Sequence, residues 1–362
     1  ALQYVTLLVN DDIPSKAFEQ KSIVYVNMPN ATKVAADAFA TTLTNPVTDV
    51  YMGSFDFIAN DDAKAIGAKL LVKADLKRAD VSAVPSILMG YPAQGLDFAN
   101  YDLLQEIRMM NGVQLGAGSF NDCNVLDTVQ FPVVTNAGVQ TKGGAVNLQG
   151  GSVFQKCVGL RSINISNKEI PTLSFDGCVK LEYVFDAAGA PIVPTAIESH
   201  AFKGCKIKDM NLSQAATIGV SAFENCAQLV GNLKVPSGLG GATLSVDAIT
   251  VLNNKVFAGC TSLKFVSFAK ATKIGIGCFP AAMTEIRFFQ KLTGVMGTTT
   301  ATSNLFGVDA NNLIPSSVKF FYNPLQKPDF NDSYALTLKG DGEKSVPAVT
   351  LFRLIQDNTT KL

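Results

Sequence analysis

A repeat of 21 or 22 residues is the feature of this sequence that most restricts its fold. Six segments share the pattern I-x-x-x-A-F-x-x-C-x-x-L-x-x-V-x-L. A unit this short cannot bury its own apolar face, whereas stacked units bury a continuous core, so the copies must fold together. The six segments cover residues 115–132, 151–165, 170–185, 197–212, 218–236 and 253–268.

Each repeat combines two local signals. Its second half alternates apolar and polar residues, which predicts a short β-strand with one buried face. Its first half spaces apolar residues three apart, which predicts one helical turn against the same core. Gly116, Gly219 and Gly275 precede this turn in three copies, and we expect a positive φ there. Stacking would then place the strands side by side, about 4.8 Å apart.

Weaker copies extend the pattern in both directions. They cover residues 13–52, 96–110 and 269–322, so the sequence predicts about ten to twelve coils in all. Residues 53–95 contain no clean copy, although 70–76 could form a strand. We therefore expect one solenoid with an irregular early stretch.

Loops and a terminal cap account for the segments that break the pattern. Residues 136–151 and 237–250 are rich in small and turn-forming residues, which predicts two inserted loops. The pattern fails after residue 322, and residues 336–349 resemble a hairpin that turns at a Gly-Asp-Gly sequence. We therefore predict a solenoid over 1–322 and a C-terminal cap with a hairpin over 323–362.

The repeat resembles that of the BspA-like leucine-rich repeat proteins, which are found mainly on bacterial surfaces. The resemblance is most specific over residues 115–268, where the six copies lie. It implies an α/β repeat fold, a right-handed solenoid with short parallel strands on one face and short helical turns elsewhere. It also implies a non-catalytic protein, exported to the cell surface or secreted, that adheres to host or matrix proteins. The chain begins without a basic leader, so we expect that any signal or lipoprotein segment was removed.

Cysteine placement follows the repeat. Six of the seven cysteines lie three residues after a repeat phenylalanine, and Cys278 directly precedes one. The sequence has no C-x-x-C pair and a single histidine, which argues against a zinc site, and an odd, ladder-like set argues against a disulfide framework. We therefore expect buried, reduced thiols with a structural role. The predicted structural residues are Phe120, Cys123, Phe154, Cys157, Phe175, Cys178, Phe202, Cys205, Phe223, Cys226, Phe257 and Cys260.

Composition and motifs give little support to catalysis or to charged partners. Lys and Arg number 30 and Asp and Glu number 30, so no net charge attracts a nucleic acid. No apolar run approaches the roughly 18 residues of a transmembrane helix. The sequence contains no G-x-S-x-G nucleophile elbow with which the single histidine, His200, could form a catalytic triad. A carboxylate-based hydrolase is the least favoured function. The Asn-Asp-Asp runs at 10–12 and 60–62 are typical of turns, and calcium binding is the alternative interpretation. No catalytic residue, metal site or cofactor is predicted.

The outward strand positions are the predicted binding surface. Tyrosine, phenylalanine and arginine recur there, and these residues dominate the hot spots of protein interfaces. The alternative is that neighbouring loops cover the rings. A glycan ligand is a second alternative, which the absence of Trp weakens and Tyr25, Tyr51 and Tyr183 support. The predicted binding residues for an unidentified protein partner are Tyr183, Phe185, Phe265, Arg287, Phe289 and Phe321.

Overall fold

In the computed structural model of the protein, the described residues form 27 β-strands and include no helix. The chain divides into two compact units, Ala1–Asn167 with Leu173–Ala190, and Lys168–Thr172 with Pro191–Leu362. The described residues are 4–8, 14, 16–18, 25–28, 49–52, 78–81, 98–109, 114–131, 134–136, 139–141, 144–230, 244–246, 248–271, 273–288, 294–296, 303–304, 307–308, 313–314, 319–322, 335–338 and 345–347.

The first unit is built from stacked parallel strands. Six of them form one sheet in the order β1-β2-β3-β4-β5-β7, and β11-β13 and β6-β10 form two smaller parallel sheets. The pair β8-β9 is antiparallel and lies in and beside the first predicted loop. The strands are β1 (Tyr4–Thr6), β2 (Tyr25–Met28), β3 (Asp49–Met52), β4 (Arg78–Val81), β5 (Glu106–Met109), β6 (Gln114–Leu115), β7 (Thr128–Gln130), β8 (Val134–Asn136), β9 (Val139–Thr141), β10 (Asn147–Leu148), β11 (Ser162–Asn164) and β13 (Tyr183–Phe185).

The second unit repeats this construction. Its parallel sheets have the orders β16-β18-β20-β25, β12-β14-β15 and β17-β19-β21, and β24 pairs in parallel with β26. Antiparallel pairs join β22 to β23 and β26 to β27. The strands are β12 (Glu169–Ile170), β14 (Ala196–Ile197), β15 (Thr217–Ile218), β16 (Leu244–Val246), β17 (Val251–Leu252), β18 (Phe265–Phe268), β19 (Lys273–Gly275), β20 (Glu285–Phe288), β21 (Gly294–Met296), β22 (Ser303–Asn304), β23 (Gly307–Val308), β24 (Leu313–Ile314), β25 (Lys319–Tyr322), β26 (Ala335–Leu338) and β27 (Ser345–Pro347).

The predicted parallel-strand solenoid is confirmed in each unit, but the predicted helical turns are wrong. The segment around each repeat phenylalanine is a run of tight turns, because two residues in it have positive φ and an α-helix requires φ near −60° throughout. One lies two residues before the phenylalanine and the other two residues after it. In the six clear copies the first set is Gly118, Ser152, Leu173, His200, Ser221 and Lys255, and the second set is Asp122, Lys156, Gly177, Gly204, Asn225 and Gly259. Around Phe279 only the first position, Gly277, has positive φ.

Backbone hydrogen bonds show why this turn suits a stack of coils. The N–H groups of Asn121 and Cys123 bond within the coil, to the carbonyls three residues earlier, at 2.9 and 3.2 Å. The N–H groups of Phe120 and Asp122 point the other way and bond to carbonyls of the next coil, at 2.8 and 2.9 Å. Successive donors from Phe120 to Cys123 thus alternate between the neighbouring coil and their own coil, and each of these N–H groups has a partner.

The expected positive φ at Gly116, Gly219 and Gly275 is also wrong. None of the three is among the positive-φ glycines, and the left-handed residue lies two positions later. Gly219 is needed for a different reason. A Cβ atom there would lie 2.6 Å from the carbonyl carbon of Glu198 in the adjacent coil, so only glycine permits this backbone approach.

Other segments differ from expectation or stay predictions. The coil of Phe202 forms no strand at 209–211, where the repeat is one residue short and Asn211 Oδ1 instead accepts the Ser213 N–H at 3.0 Å. Part of the second predicted loop forms β16. The suggested strand at 70–76 lies outside the described residues. The division into a solenoid over 1–322 and a cap over 323–362 remains a prediction.

Candidate binding surface

Strands β1, β5, β11, β13 and β18 alternate between a buried and an outward side chain. In β5, Ile107 is fully buried and Arg108 is exposed. In β13, Val184 is 5% exposed, whereas Tyr183 is 47% exposed. The same alternation holds in β18, where Val266 is buried between outward residues. The parallel register carries it from one strand to the next, so outward residues form columns across each sheet.

Two columns of backbone register partners cross the six-stranded sheet of the first unit, one on each side of the inward column. The inward column is identified by two buried residues, Val5 on β1 and Ile107 on β5. Arg108 contacts its column neighbour Gln130, with Nη2 at 3.5 Å from Oε1. Sequence analysis missed β4, since its residues match no repeat. The columns are Tyr4, Tyr25, Asp49, Arg78, Glu106 and Thr128, and Thr6, Asn27, Tyr51, Asp80, Arg108 and Gln130.

Two predicted binding residues of the first unit lie together on β13. The rings of Tyr183 and Phe185 stack with their centroids 5.9 Å apart and their planes 13° apart. Tyr183 is exposed and Phe185 is half-buried. The chain then turns at Asp186, whose Oδ1 accepts the N–H groups of Ala188 and Ala190, each at 2.9 Å. This Asx-type turn fixes the end of the strand that carries both rings.

The remaining predicted binding residues belong to the second unit. Phe265 is half-buried on β18 and is the register partner of Glu285. Arg287 on β20 is the register partner of Phe321 on β25. Arg287 and Phe321 are thus neighbours in the backbone register of the sheet. Phe289 lies outside the described residues.

A ladder of thiol hydrogen bonds runs beneath the turns. All seven cysteines are free and buried. In five coils the thiol donates to the carbonyl of the phenylalanine one coil earlier. The sequence did not predict these bonds, because residue spacing within one coil does not identify a hydrogen-bond partner in another. Cys278 donates instead to Asn253 and Gly275, at 2.9 and 3.0 Å. The five bonds are Cys123 to Phe98 at 2.9 Å, Cys157 to Phe120 at 3.1 Å, Cys178 to Phe154 at 2.9 Å, Cys226 to Phe202 at 3.0 Å and Cys260 to Phe223 at 3.0 Å.

Burial keeps five of the buried thiols protonated, because it raises their pKa. It raises the pKa of Cys260 and of Cys278 to about 12. Burial also raises the pKa of Cys157, Cys178 and Cys226 well above the usual thiol range. Since the thiolate is the form that attacks electrophiles and binds metals, these sulfurs are suited to packing and hydrogen bonding at neutral pH.

The other residues weighed for chemistry have structural positions or are not described. His200 is half-buried with φ 58°, and its backbone N–H donates to the Val220 carbonyl at 2.9 Å. The Asn-Asp-Asp runs at 10–12 and 60–62 lie outside the described residues. Within the described part of the chain, no group of three or more His, Cys, Asp and Glu residues is placed to hold a metal ion. Nor does that part contain a helix that could cross a membrane.

Known proteins resemble the chain in sequence and in structure. A model of the BspA type leucine rich repeat region matches six copies, over residues 149–279 and 193–303. No curated protein matches. Three solved structures are similar: a leucine rich cell surface protein from Faecalibacterium prausnitzii A2-165, a leucine-rich repeat protein from Bacteroides ovatus ATCC 8483, and the leucine rich repeat protein TpLRR of T. pallidum.

These structural likenesses are distant. The first has 17% identity, covers 85% of this chain and 86% of that one, and has a TM-score of 0.32. The second has 15% identity, covers 74% and 68%, and has a TM-score of 0.30. The third has 17% identity, covers 57% and 70%, and has a TM-score of 0.23.

The family match agrees with the repeat and with the coils that it forms. Six matched copies support about six of the ten to twelve predicted coils, and the further coils remain a prediction. The resemblance found in the sequence is thereby confirmed over residues 149–303, which form a BspA-type leucine-rich repeat region.

Proposed function

We propose that this protein is a non-catalytic binding protein, exported to a bacterial surface or secreted, that holds a protein partner on the outward face of its strands. The observation that carries the proposal is the stacked pair of Tyr183 and Phe185 on β13. Membership of a leucine-rich repeat family supports a scaffold rather than a catalyst. The surface location rests on that membership alone.

The geometry of the pair suits an interface anchor. Tyr183 is 47% exposed although the neighbouring Val184 and Leu181 are buried, so its ring stands out from a well-packed coil. Stacking against Phe185 and the Asx-type turn at Asp186 hold the ring in place, which lowers the entropy that binding must remove. Tyrosine in such a position buries apolar area and still offers a hydroxyl for hydrogen bonding.

The same pair is less suited to hold a sugar or a free aromatic ligand between its rings. The centroids are 5.9 Å apart, whereas an inserted ring would need two stacking distances of about 4.5 Å or more. The two rings therefore act as one block that fits into a pocket of a partner.

We extend the proposal to Phe265, Arg287, Phe289 and Phe321 in the second unit, where the register makes Arg287 and Phe321 neighbours.

Alanine variants of the pair test this proposal. We expect Tyr183→Ala and Phe185→Ala to weaken retention on the matrix protein that binds the wild type by about 30-fold, the equivalent of roughly 2 kcal/mol. Binding would be measured on a panel of immobilised extracellular-matrix proteins, alongside thermal melting. Leu103→Ala is the matched control, because Leu103 is 40% exposed in the same unit but lies outside the strands.

Two results would contradict the proposal. One is that no matrix protein retains the wild type. The other is that Leu103→Ala weakens retention as much as Tyr183→Ala, which would place the contact away from the strand face.

A further inference from the structure

We infer that two copies of this chain associate through a strip of the first unit, around a two-fold axis that crosses the strip. The strip lies at the bend between the cysteine turn and the following strand in four successive coils, those of Phe98, Phe120, Phe154 and Phe175. In each coil it contains the two residues after the cysteine position, which Tyr101 occupies in the first coil, and the residue after the repeat leucine. The inference does not depend on the partner proposed for the β13 pair.

Backbone hydrogen bonds join the strip from coil to coil. The Asp127 N–H of the second coil donates to the Gln105 carbonyl of the first at 3.0 Å. The Glu182 N–H of the fourth coil donates to the Arg161 carbonyl of the third at 2.9 Å. The same position of each coil therefore stacks on its counterpart, and its side chains form a column along the strip.

Exposed aliphatic side chains supply the apolar part of the strip. Val125 is 37% exposed and Val179 is 52% exposed, although the coils that carry them are well packed. A Cβ atom on Gly159 would lie 2.8 Å from the carbonyl carbon of Val125, so the second and third coils touch here and the strip is continuous. Apolar groups that leave water when two surfaces meet favour association.

The ionised side chains of the strip are divided between its two ends. Asp102 and Asp127 are exposed in the first two coils, and Arg161 and Lys180 are exposed in the last two. None of these four residues has an ion pair within the described part of the chain. Their charges are therefore available to another molecule.

This division makes the strip complementary to itself. A two-fold axis between the second and third coils reverses the coil order in the second copy and keeps each column opposite its own counterpart. Asp127 then faces Arg161 of the second copy, and Arg161 faces its Asp127. Asp102 and Lys180 lie in adjacent columns at opposite ends, so the same axis brings them within side-chain reach. Opposite charges that meet in this way fix the orientation of a complex.

Glu182, the acidic strip residue at the basic end, fits the same arrangement. It shares a column with Asp127, and the axis places it opposite Gln105 of the second copy, whose amide can donate to the carboxylate. The four coils span about 14 Å along the stack, three steps of about 4.8 Å. An interface of this size is small, and we therefore expect a dimer that dissociates at micromolar concentrations or above.

Sedimentation velocity of the purified chain tests the inference. We expect the wild type to sediment increasingly as a dimer between about 10 and 500 μM. Asp127→Arg and Arg161→Asp each place like charges opposite each other twice, so each should weaken the association at least about tenfold. Lys273→Glu is the matched control, because Lys273 is exposed on β19 of the second unit and its reversal should leave the association unchanged. Thermal melting checks that each variant is folded.

An equimolar mixture of the two reversed variants gives a sharper result. The Asp127→Arg copy carries arginine at both positions, and the Arg161→Asp copy carries aspartate at both. Only a mixed dimer then pairs opposite charges. We expect the mixture to dimerise at a concentration at which neither variant does so alone.

The inference is overturned if the wild type stays monomeric over this range, if either reversal leaves the association unchanged, if the mixture does not dimerise, or if Lys273→Glu weakens the association as much as Arg161→Asp. Should Asp127→Arg fail to fold, Asp102→Lys and Lys180→Glu form a second pair of reversals for the same mixing experiment. Failure here is distinguishable from failure of the matrix-protein experiment, since every one of these variants keeps the β13 pair.

Discussion

At the scale of single residues, one phenylalanine carbonyl in each of five coils receives two donors. The Phe120 carbonyl accepts the N–H of Cys123 in its own coil at 3.2 Å and the thiol of Cys157 in the next coil at 3.1 Å. The sequence predicts the three-residue spacing that allows the first bond. It cannot predict the second, because that bond depends on how adjacent coils align. Cysteine suits the position because it combines the bulk of a small apolar residue with a weak donor.

Substitution of Cys226 tests this role. Its thiol donates to the Phe202 carbonyl at 3.0 Å, so a serine hydroxyl has a partner, and we expect Cys226→Ser to lower the free energy of unfolding by only about 1 kcal/mol. Cys226→Ala removes both the donor and the sulfur volume and should cost about 2 kcal/mol. Urea denaturation of the two variants measures the difference. A loss of 3 kcal/mol or more for the serine variant would mean that the hydroxyl cannot reach the carbonyl.

At the scale of structural elements, the sequence predicts the long strands but not the turns or the shortest strands. Alternating residues such as those of β11 and β18 carry a clear period of two. The first apolar residue of a repeat, for example Ile197 or Ile218, forms a strand of only two residues, and two residues contain no period. The first left-handed position holds residues as different as Leu173 and Gly118, so no residue type marks it. The second is rich in Gly, Asn and Asp, a signal that could have identified the turn.

Gly177 isolates the energetic contribution of the left-handed turn. Its φ is +77°, and an added Cβ would have its nearest neighbour, Lys156 Cγ, at 3.4 Å, which is ordinary contact. We therefore expect Gly177→Ala to lower the free energy of unfolding by about 1–2 kcal/mol through backbone strain alone. Gly177→Asn should cost less than half as much, because asparagine tolerates this conformation and Asn225 already adopts it in another coil. Chemical denaturation provides the comparison, and equal losses for the two variants would contradict the strain argument.

At the scale of the whole molecule, each unit has a ladder of stacked phenylalanines as its axis. In the first unit the rings of Phe98, Phe120, Phe154 and Phe175 follow at centroid distances of 5.4, 5.2 and 5.8 Å, with planes within 8° of parallel. Contacts of this kind couple each coil to its two neighbours, so that stability accumulates from nearest-neighbour terms. A repeat protein built in this way can vary its outward residues from coil to coil while the ladder stays constant. The binding surface proposed above, on β13, is one such variation.

A paired substitution in the second unit separates the ladder from the binding face. Phe223 is fully buried and stacks on Phe202 at 5.5 Å and on Phe257 at 5.8 Å. We expect Phe223→Ala to lower the free energy of unfolding by about 3–5 kcal/mol and to reduce the denaturant dependence of unfolding, because both neighbouring coils lose a contact and separate more readily. Phe265→Ala, an outward and half-buried ring, should cost about 1 kcal/mol or less and leave that dependence unchanged. Equal losses for the two variants would show that Phe265 belongs to the core and that the outward register of β18 is wrong by one residue. The binding face of the second unit would then have to be sought in its loops.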